Sequence, residues 1–199
     1  FGTVGSIIFG VLAAQMVNQK FFGRTFMRSV LLFPYVGPVV ALAYTWELLL
    51  DPNSGTLNSL LMNFQIIENP INLLGQKYIS LNIFGFDFKL RLALTTVIIF
   101  EIWRYFPLAF LFILARLQAV PKELYEAAEV DGAGPFQKFV NITLPQITAV
   151  IAILFMIRFI WNFNKFEDVF LLTGGASGTR TLPINVYQQG FAISDIGMG

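Results

Sequence analysis

Long apolar stretches with few charged side chains constrain this sequence more than any other feature. A helix needs about 20 mostly apolar residues to cross the hydrocarbon core of a bilayer. Stretches of that kind predict four membrane spans, the third of which contains Glu101 and Arg104 in otherwise apolar surroundings. The predicted spans cover residues 1–19, 29–47, 92–115 and 146–164, and a partial further span begins at about residue 189.

The composition agrees with a membrane protein. Of the 199 residues, 56% are hydrophobic and 13% are charged, whereas about 25% of a soluble chain is charged. The chain has no Cys and no His, which excludes disulfides, thiol or imidazole catalysis and His–Cys metal sites. A net charge of +1 lacks the basic excess of a nucleic-acid-binding protein. The predicted fold class is therefore all-α, a polytopic transmembrane helix bundle.

The charges between the spans predict the orientation. Lys20, Arg24 and Arg28 follow the first span without an acidic residue among them, and basic residues concentrate on the cytoplasmic side. Alternation then places residues 117–145 inside and about 166–190 outside. Because the chain starts within a helical pattern and without Met, we expect a single transmembrane domain over 1–199, with further sequence at both ends.

The outer loop after the second span contains one helical pattern. Leu57, Leu60, Leu61 and Phe64 follow a helical spacing, which predicts a short amphipathic helix from Thr56 to Phe64. Two positions fit this helix equally well, one on the membrane surface and one against the top of the bundle.

The cytoplasmic loop 117–145 predicts two short helices joined by glycines. Pro121 and Glu123 suit a helix start, and Gly132 and Gly134 end the first helix before a second one begins. With Arg116 at its edge included, four acidic residues face three basic ones, so a protein groove fits this loop better than lipid headgroups do. These patterns leave open whether the loop docks on a partner or only covers the ends of the spans.

Charged and aromatic side chains inside the third and fourth spans are candidates for a solute path. A charge at mid-bilayer costs about 2.5–3.5 kcal/mol, so it usually faces a cavity or an opposite charge. A buried Glu101–Arg104 ion pair is the alternative in the third span, and a snorkelling Arg158 beside an interfacial Trp161 is the alternative in the fourth. The candidates are Glu101, Trp103, Arg104, Tyr105, Arg158, Trp161, Asn162 and Asn164.

The cytoplasmic loop also carries a long, spaced signature. Glu126-Ala127-Ala128 is followed by three residues and Gly132, then by nine residues, Ile142, one residue and Leu144-Pro145. This pattern resembles the EAA loop in permease subunits of binding-protein-dependent ABC importers. Other segments are similar to the carbohydrate type, of the MalF/UgpA-like kind, and the resemblance covers nearly all of the chain. These segments are Leu32–Pro38, Leu124–Ala133, Phe159–Phe166, Leu171–Gly175 and Thr181–Pro183.

The resemblance implies a multi-pass transport subunit of the cell inner membrane and not an enzyme. Its EAA loop would form coupling helices that sit in a cleft of a separate ATPase. That subunit would bind ATP-Mg, since this chain has no Gly-x-x-x-x-Gly-Lys-Ser/Thr motif. The chain itself is expected to hold no cofactor or metal. The implied coupling residues are Glu126, Ala127, Ala128, Asp131, Gly132, Ile142, Leu144 and Pro145. Thr173, Gly174 and Gly175 would contact an external binding protein.

The resemblance also implies partners and a substrate class. The partners are ATP-binding subunits, a second and different permease subunit, an extracytoplasmic solute-binding protein and membrane lipid, without nucleic acid. The implied function is import of a sugar or sugar-like solute, with glycerol 3-phosphate as one possibility, by alternating access. One alternative is an ABC permease for a non-sugar solute. Another is an ion-coupled secondary transporter, for which Glu101, beside Arg104, is the candidate acid.

Overall fold

The computed structural model describes residues 1–19, 21–83 and 86–192, and most of these residues are helical. An antiparallel ribbon of β1 (Ile79–Ile83) and β2 (Phe86–Leu90) interrupts the helices, and π-helical turns cover Phe139–Thr143 and Gln188–Ala192. The predicted all-α class is confirmed, although the sequence patterns did not predict the ribbon. The α-helices are α1 (Gly2–Asn18), α2 (Arg24–Val36), α3 (Val39–Leu50), α4 (Thr56–Asn63), α5 (Leu92–Gln118), α6 (Lys122–Val130), α7 (Pro135–Lys138), α8 (Leu144–Phe163), α9 (Glu167–Thr173) and α10 (Leu182–Tyr187).

Two described helical segments are long and apolar enough to cross a membrane by themselves. They are α5 and the continuous segment Pro135–Phe163, with mean hydropathies of 1.9 and 2.0. Helix α1 is also apolar but has 17 residues. Lys20 of the predicted first cytoplasmic loop, and residues 193–199 of the partial span predicted from residue 189, lie outside the described residues.

Helices α2 and α3 occupy the region of the second predicted span. Together they are long and apolar enough to cross a membrane, but they meet at an angle of 94°. The break lies at Gly37–Pro38, because proline supplies no N–H and disfavours a helical conformation in the residue before it. Pro34 and Pro107, in contrast, lie inside α2 and α5.

The first of two compact units comprises Phe1–Val36 and Ile102–Ile160. Helices α1 and α5 approach each other closely at Gly10, where an added Cβ atom would lie 2.8 Å from the backbone nitrogen of Phe110. The core of this unit is built from buried apolar side chains on α1, α5 and α8. They are Ile7, Ala14, Val17, Ala109, Phe110, Ile113, Leu114, Leu117, Ile147 and Leu154.

The second unit comprises Gly37–Glu101 and Trp161–Gly199. In this unit α3 packs against α9, and the rings of Trp46 and Phe100 meet edge to face with centroids 5.3 Å apart. The buried Asn58 of α4 holds the outer loop, because its amide nitrogen donates to the carbonyl of Ile71 at 3.0 Å and its amide oxygen accepts the Ile71 N–H at 3.1 Å. The predicted short helix after Thr56 is therefore present and attached to the loop that follows it.

The turn after α3 is closed by a carboxylate. Oδ1 of Asp51 accepts the backbone N–H of Ser54 at 2.8 Å, the Ser54 hydroxyl at 2.9 Å and the N–H of Asn53 at 2.9 Å. These donors, with the Ser54 N–H first, lower the pKa of Asp51 below its usual value, because they stabilise the charged form.

Candidate functional site

The predicted pair of short cytoplasmic helices is present as α6 and α7. Helix α6 ends in a turn in which Gly132 has a φ of +78°. The N–H groups of Asp131, Gly132 and Ala133 donate to carbonyls of the last turn of α6, at 3.0, 3.0 and 2.8 Å. Glycine adopts this left-handed conformation without a steric cost, so Gly132 is the residue that lets the chain reverse direction here.

Helix α7 is fixed to the turn by side chains. The Gln137 amide oxygen accepts the N–H of Gly134 at 2.8 Å, and Lys138 forms an ion pair of 2.6 Å with Glu129 of α6. Helix α7 does not end before Leu144-Pro145. It continues through the π-helical turn into α8, so the second short helix and the following predicted span form one helical segment.

Two further contacts lie at the base of the helix pair: one joins α6 to the turn before α8, and the other joins α5 to α8 within the same unit. The Tyr125 hydroxyl of α6 is 3.0 Å from the hydroxyl of Thr143 in the π-helical turn. Nε of Arg116 near the end of α5 donates to the carbonyl of Gln146 in α8 at 3.0 Å. The loop is therefore connected at its base, whereas no residue of α6 is buried.

The outward face of the helix pair is partly apolar. Leu124 is 44% exposed, Val130 is 88% exposed and Phe136 is 78% exposed. Glu126, Ala127, Asp131 and Gly132 are exposed with them, and Ala128 is half-buried. The other predicted coupling residues lie at the base of α8, where Ile142 is half-buried and Leu144 and Pro145 are exposed. The arrangement is a surface that another protein is able to cover.

A buried ionic network in the second unit joins Glu101 of α5 to Lys165 and Asp168, which lie after α8. Nζ of Lys165 is 3.1 Å from Oε1 of Glu101 and 2.6 Å from Oδ2 of Asp168. The three side chains are at most 10% exposed. Glu101 was predicted as a site residue, whereas Lys165 and Asp168 were missed. Their spacing of three residues is the signal that the sequence offered. Of the remaining candidates in this unit, Trp161 and Asn164 are exposed and Asn162 is half-buried.

A second cluster lies in the first unit, around the ring of Tyr105. The Arg158 guanidinium carbon is 3.8 Å from the centroid of that ring, and Nη1 of Arg104 donates to the Tyr105 hydroxyl at 3.2 Å. Arg158 is buried, whereas Arg104, Tyr105 and the predicted Trp103 are half-buried. Arginines with hydroxyl and aromatic neighbours are able to bind oxygen-rich solutes.

The predicted glycine segment lies in a tightly turned loop. Gly174 and Gly175 have φ values of +59° and +78°, and Gly178 follows with +80°. Thr173 shares a hydrogen bond of 2.6 Å between side-chain hydroxyls with Thr179. The Ser177 hydroxyl donates to the carbonyl of Gly75 at 2.7 Å, so this loop is anchored to the outer loop that precedes α5.

The described residues do not form a metal site. Within the described ranges, no group of three or more His, Cys, Asp or Glu side chains is placed to hold a metal ion.

Comparison with known proteins gives the family. Residues 6–195 match the family model described as "Binding-protein-dependent transport system inner membrane component". The chain is 36% identical over 193 residues to the inner membrane ABC transporter permease protein YcjO of Escherichia coli K12, covering 97% of this chain and 61% of the relative. It is 33% identical to the trehalose/maltose transport system permease protein MalF of Thermococcus litoralis and to the sn-glycerol-3-phosphate transport system permease protein UgpA of Yersinia pestis, covering 96% of this chain and 60% of each relative.

The fold is also similar to a solved structure. A chain in the crystal structure of a bacterial alginate ABC transporter, in complex with an alginate pentasaccharide-bound periplasmic protein, aligns with a TM-score of 0.71 and 23% identity, covering 96% of this chain and 64% of that one. The chain thus spans about three fifths of the curated relatives that it matches. The resemblance inferred from the EAA-type signature is confirmed: the chain belongs to the family of binding-protein-dependent transport system inner membrane components.

Proposed function

We propose that this chain is the transmembrane permease subunit of an ATP-driven importer for a sugar or a sugar-like solute such as glycerol 3-phosphate. The relatives named for transport of trehalose and maltose and of sn-glycerol 3-phosphate support this substrate class. Transport proceeds by alternating access, in which ATP-driven motion of a partner moves the spans as rigid bodies. The partners are ATP-binding subunits, an extracytoplasmic solute-binding protein and a second, different permease subunit.

The exposed helix pair α6–α7 is the observation that carries this proposal. It presents Leu124, Val130 and Phe136 to solvent. Tyr125 joins it to the turn before α8, and Arg116 in turn joins α8 to α5. An apolar helix face of this kind fits a groove on a protein partner. ATP-Mg is bound by that partner, and a movement there reaches α5 and α8 through the base contacts.

Individual residues of the coupling surface have distinct roles. Glu126 anchors the loop to the ATPase by its charge, and Ala127 and Ala128 permit a close approach of the two backbones. Asp131 and Gly132 form the reversal between the helices. Ile142, Leu144 and Pro145 connect the coupling surface to α8.

The solute path uses the polar and aromatic side chains of α5 and of the segment that ends α8. They are Glu101, Trp103, Arg104, Tyr105, Arg158, Trp161, Asn162 and Asn164. The ion pair of Glu101 with Lys165 favours an importer over an ion-coupled transporter, because a lysine ammonium occupies the place where a proton or a cation would bind. The anchored turn at Thr173, Gly174 and Gly175 supports a contact with the binding protein.

The decisive experiment compares two glycines of the same turn. Gly132 has a positive φ, whereas Gly134 has a φ of −70°, and neither added Cβ would have a neighbour closer than 3.9 Å. Gly132→Asp should abolish ATP-dependent uptake, and Gly132→Ala should reduce it. Membrane insertion should persist in both variants. Gly134→Ala is the matched control and should retain uptake.

The measurement uses the full-length permease with its ATPase and binding protein in proteoliposomes. Wild-type permease should co-purify with the ATPase, and Gly132→Asp should weaken that association. Normal ATP-dependent uptake by a correctly inserted Gly132→Asp variant would contradict the coupling role. Uptake of neither maltose nor glycerol 3-phosphate by the wild-type transporter would contradict the substrate class.

A further inference from the structure

One face of the Tyr105 ring is covered by a buried cation. The guanidinium carbon of Arg158 lies 3.8 Å from the ring centroid, within the distance at which a cation is attracted to the negative face of an aromatic ring. Arg158 is 2% exposed, so solute cannot reach it without a rearrangement of the first unit. A sugar ring cannot stack on the same face of Tyr105, because the guanidinium already occupies it.

The remaining sides of Tyr105 are also fixed within the first unit. Tyr35 meets the ring nearly edge on, with centroids 6.2 Å apart and planes at 67°. The hydroxyl accepts a hydrogen bond from Nη1 of Arg104 at 3.2 Å. Arg104 and Tyr105 are half-buried, so these two side chains, unlike Arg158, have atoms at the surface of the unit.

We propose that Arg158 is a positioning residue for solute recognition, which acts through the ring of Tyr105 and does not contact the solute. The buried guanidinium fixes the plane of the ring, the ring fixes its hydroxyl, and the hydroxyl orients the guanidinium of Arg104. Arg104 then donates hydrogen bonds to oxygen atoms of a hydroxylated or phosphorylated solute, the chemistry that a guanidinium fork supports. This inference rests on the proposed transport function and assigns distinct roles to two arginines of the same path.

The typical strength of a cation–π contact sets the expected size of the effect. A desolvated contact of this kind corresponds to a factor of about 30 in an equilibrium constant, which is the largest effect that its loss is able to have on solute binding through the ring. Arg158→Met should therefore raise the KM for uptake by up to about 30-fold, while the maximal rate changes by no more than about twofold. Arg158→Lys keeps a cation above the ring and should restore most of the wild-type KM.

The test is a double-mutant cycle in proteoliposomes that contain the full-length permease, its ATPase and its binding protein. Radiolabelled maltose and glycerol 3-phosphate are the probes, and KM and maximal rate are measured for whichever probe the wild type transports. The variants are Arg158→Met, Arg158→Lys, Tyr105→Leu and the double variant Arg158→Met/Tyr105→Leu. Tyr44→Leu, at an exposed position of α3, is the control for removing a tyrosine ring and should leave KM unchanged.

The cycle separates this role from its alternatives. If Arg158 acts through Tyr105, the double variant has the KM of Tyr105→Leu alone. The same additional increase in the Tyr105→Leu background would show that Arg158 acts independently of the ring, and it would overturn the proposal. So would an Arg158→Met transporter that assembles poorly but has the wild-type KM, because that result indicates only a structural role. A wild type that transports neither probe would overturn the proposed substrate class, and this inference with it.

Discussion

The close crossing of α1 and α5 determines whether the substitution Gly10→Ala stabilises or destabilises the protein. Gly10 lies inside α1, and alanine is about 1 kcal/mol more favourable than glycine within a helix. Helix propensity alone therefore predicts that Gly10→Ala stabilises the protein. The structure predicts the opposite, because the new Cβ atom would lie 2.5 Å from the Cβ of Ala109 and 2.8 Å from the backbone nitrogen of Phe110.

The magnitude follows from these distances. Carbon atoms in contact are about 3.5–4.0 Å apart, so α1 would have to move away from α5 by about 1 Å. The atoms that must move include backbone atoms of α5, which cannot rotate away as a side chain does. Overpacking of this kind costs about 1–3 kcal/mol. After the gain in helix propensity, we expect Gly10→Ala to destabilise the protein by up to about 2 kcal/mol.

Gly5→Ala is the matched control on the same helix. Its Cβ atom would meet the side chain of Ile102, which is able to adopt another rotamer, so we expect a change within about 0.5 kcal/mol. Denaturant unfolding of the purified protein in detergent micelles, followed by tryptophan fluorescence, measures both variants. The double variant Gly10→Ala/Ala109→Gly removes the contact between the two Cβ atoms and should recover part of the loss. A Gly10→Ala protein at least as stable as the wild type would refute this reasoning.

Three further predictions concern single contacts. Lys165→Met removes the ammonium that pairs with the buried carboxylates of Glu101 and Asp168 and should destabilise the protein by about 3–5 kcal/mol, measured by thermal unfolding; an unchanged unfolding temperature would contradict this. The lowered pKa of Asp51 means that its stabilising contribution is complete above about pH 4, its unfolded-state value, and is lost as the pH falls further through the folded-state value. Thermal unfolding between pH 7 and pH 2.5 should therefore depend less on pH for Asp51→Asn, and an unchanged profile would contradict this. Tyr125→Phe removes a hydroxyl contact of α6 and should lower transport per ATP hydrolysed without changing the amount of inserted protein; unchanged coupling in proteoliposomes would count against it.

Local signals in the sequence were sufficient to predict the short helices α6 and α7. Proline fixes φ, and glycine permits positive φ, so Pro121 and Gly132 mark the start and the end of a short helix through backbone geometry alone. The structure has α6 at Lys122–Val130 and a positive φ at Gly132. The short helix after Thr56 was predictable for a similar reason, since its apolar residues follow a helical spacing.

Contacts between distant parts of the chain were not predictable in the same way. The sequence places Arg104 next to Glu101, and an ion pair along the helix was the natural hypothesis. The structure also places Lys165, 64 positions away, in an ion pair with Glu101, and no local pattern contains that information. The angle between α2 and α3 is a similar case: Pro38 accounts for the break in the helix, whereas no local pattern contains the angle of 94°.

The contacts at the base of α6 and α7 differ in how well they are able to transmit a force. The Lys138–Glu129 pair joins α6 to α7, but the Glu129 side chain is 66% exposed, and exposed ion pairs contribute only about 0–1 kcal/mol. The contacts of Tyr125 and Arg116 are partly buried, where water competes less for the donors and acceptors. A push on the exposed face of α6 should therefore reach α8 mainly through Tyr125 and Thr143, and reach α5 through Arg116. Breaking the exposed ion pair should affect transport less than removing the Tyr125 hydroxyl, although the ion pair is the shorter contact.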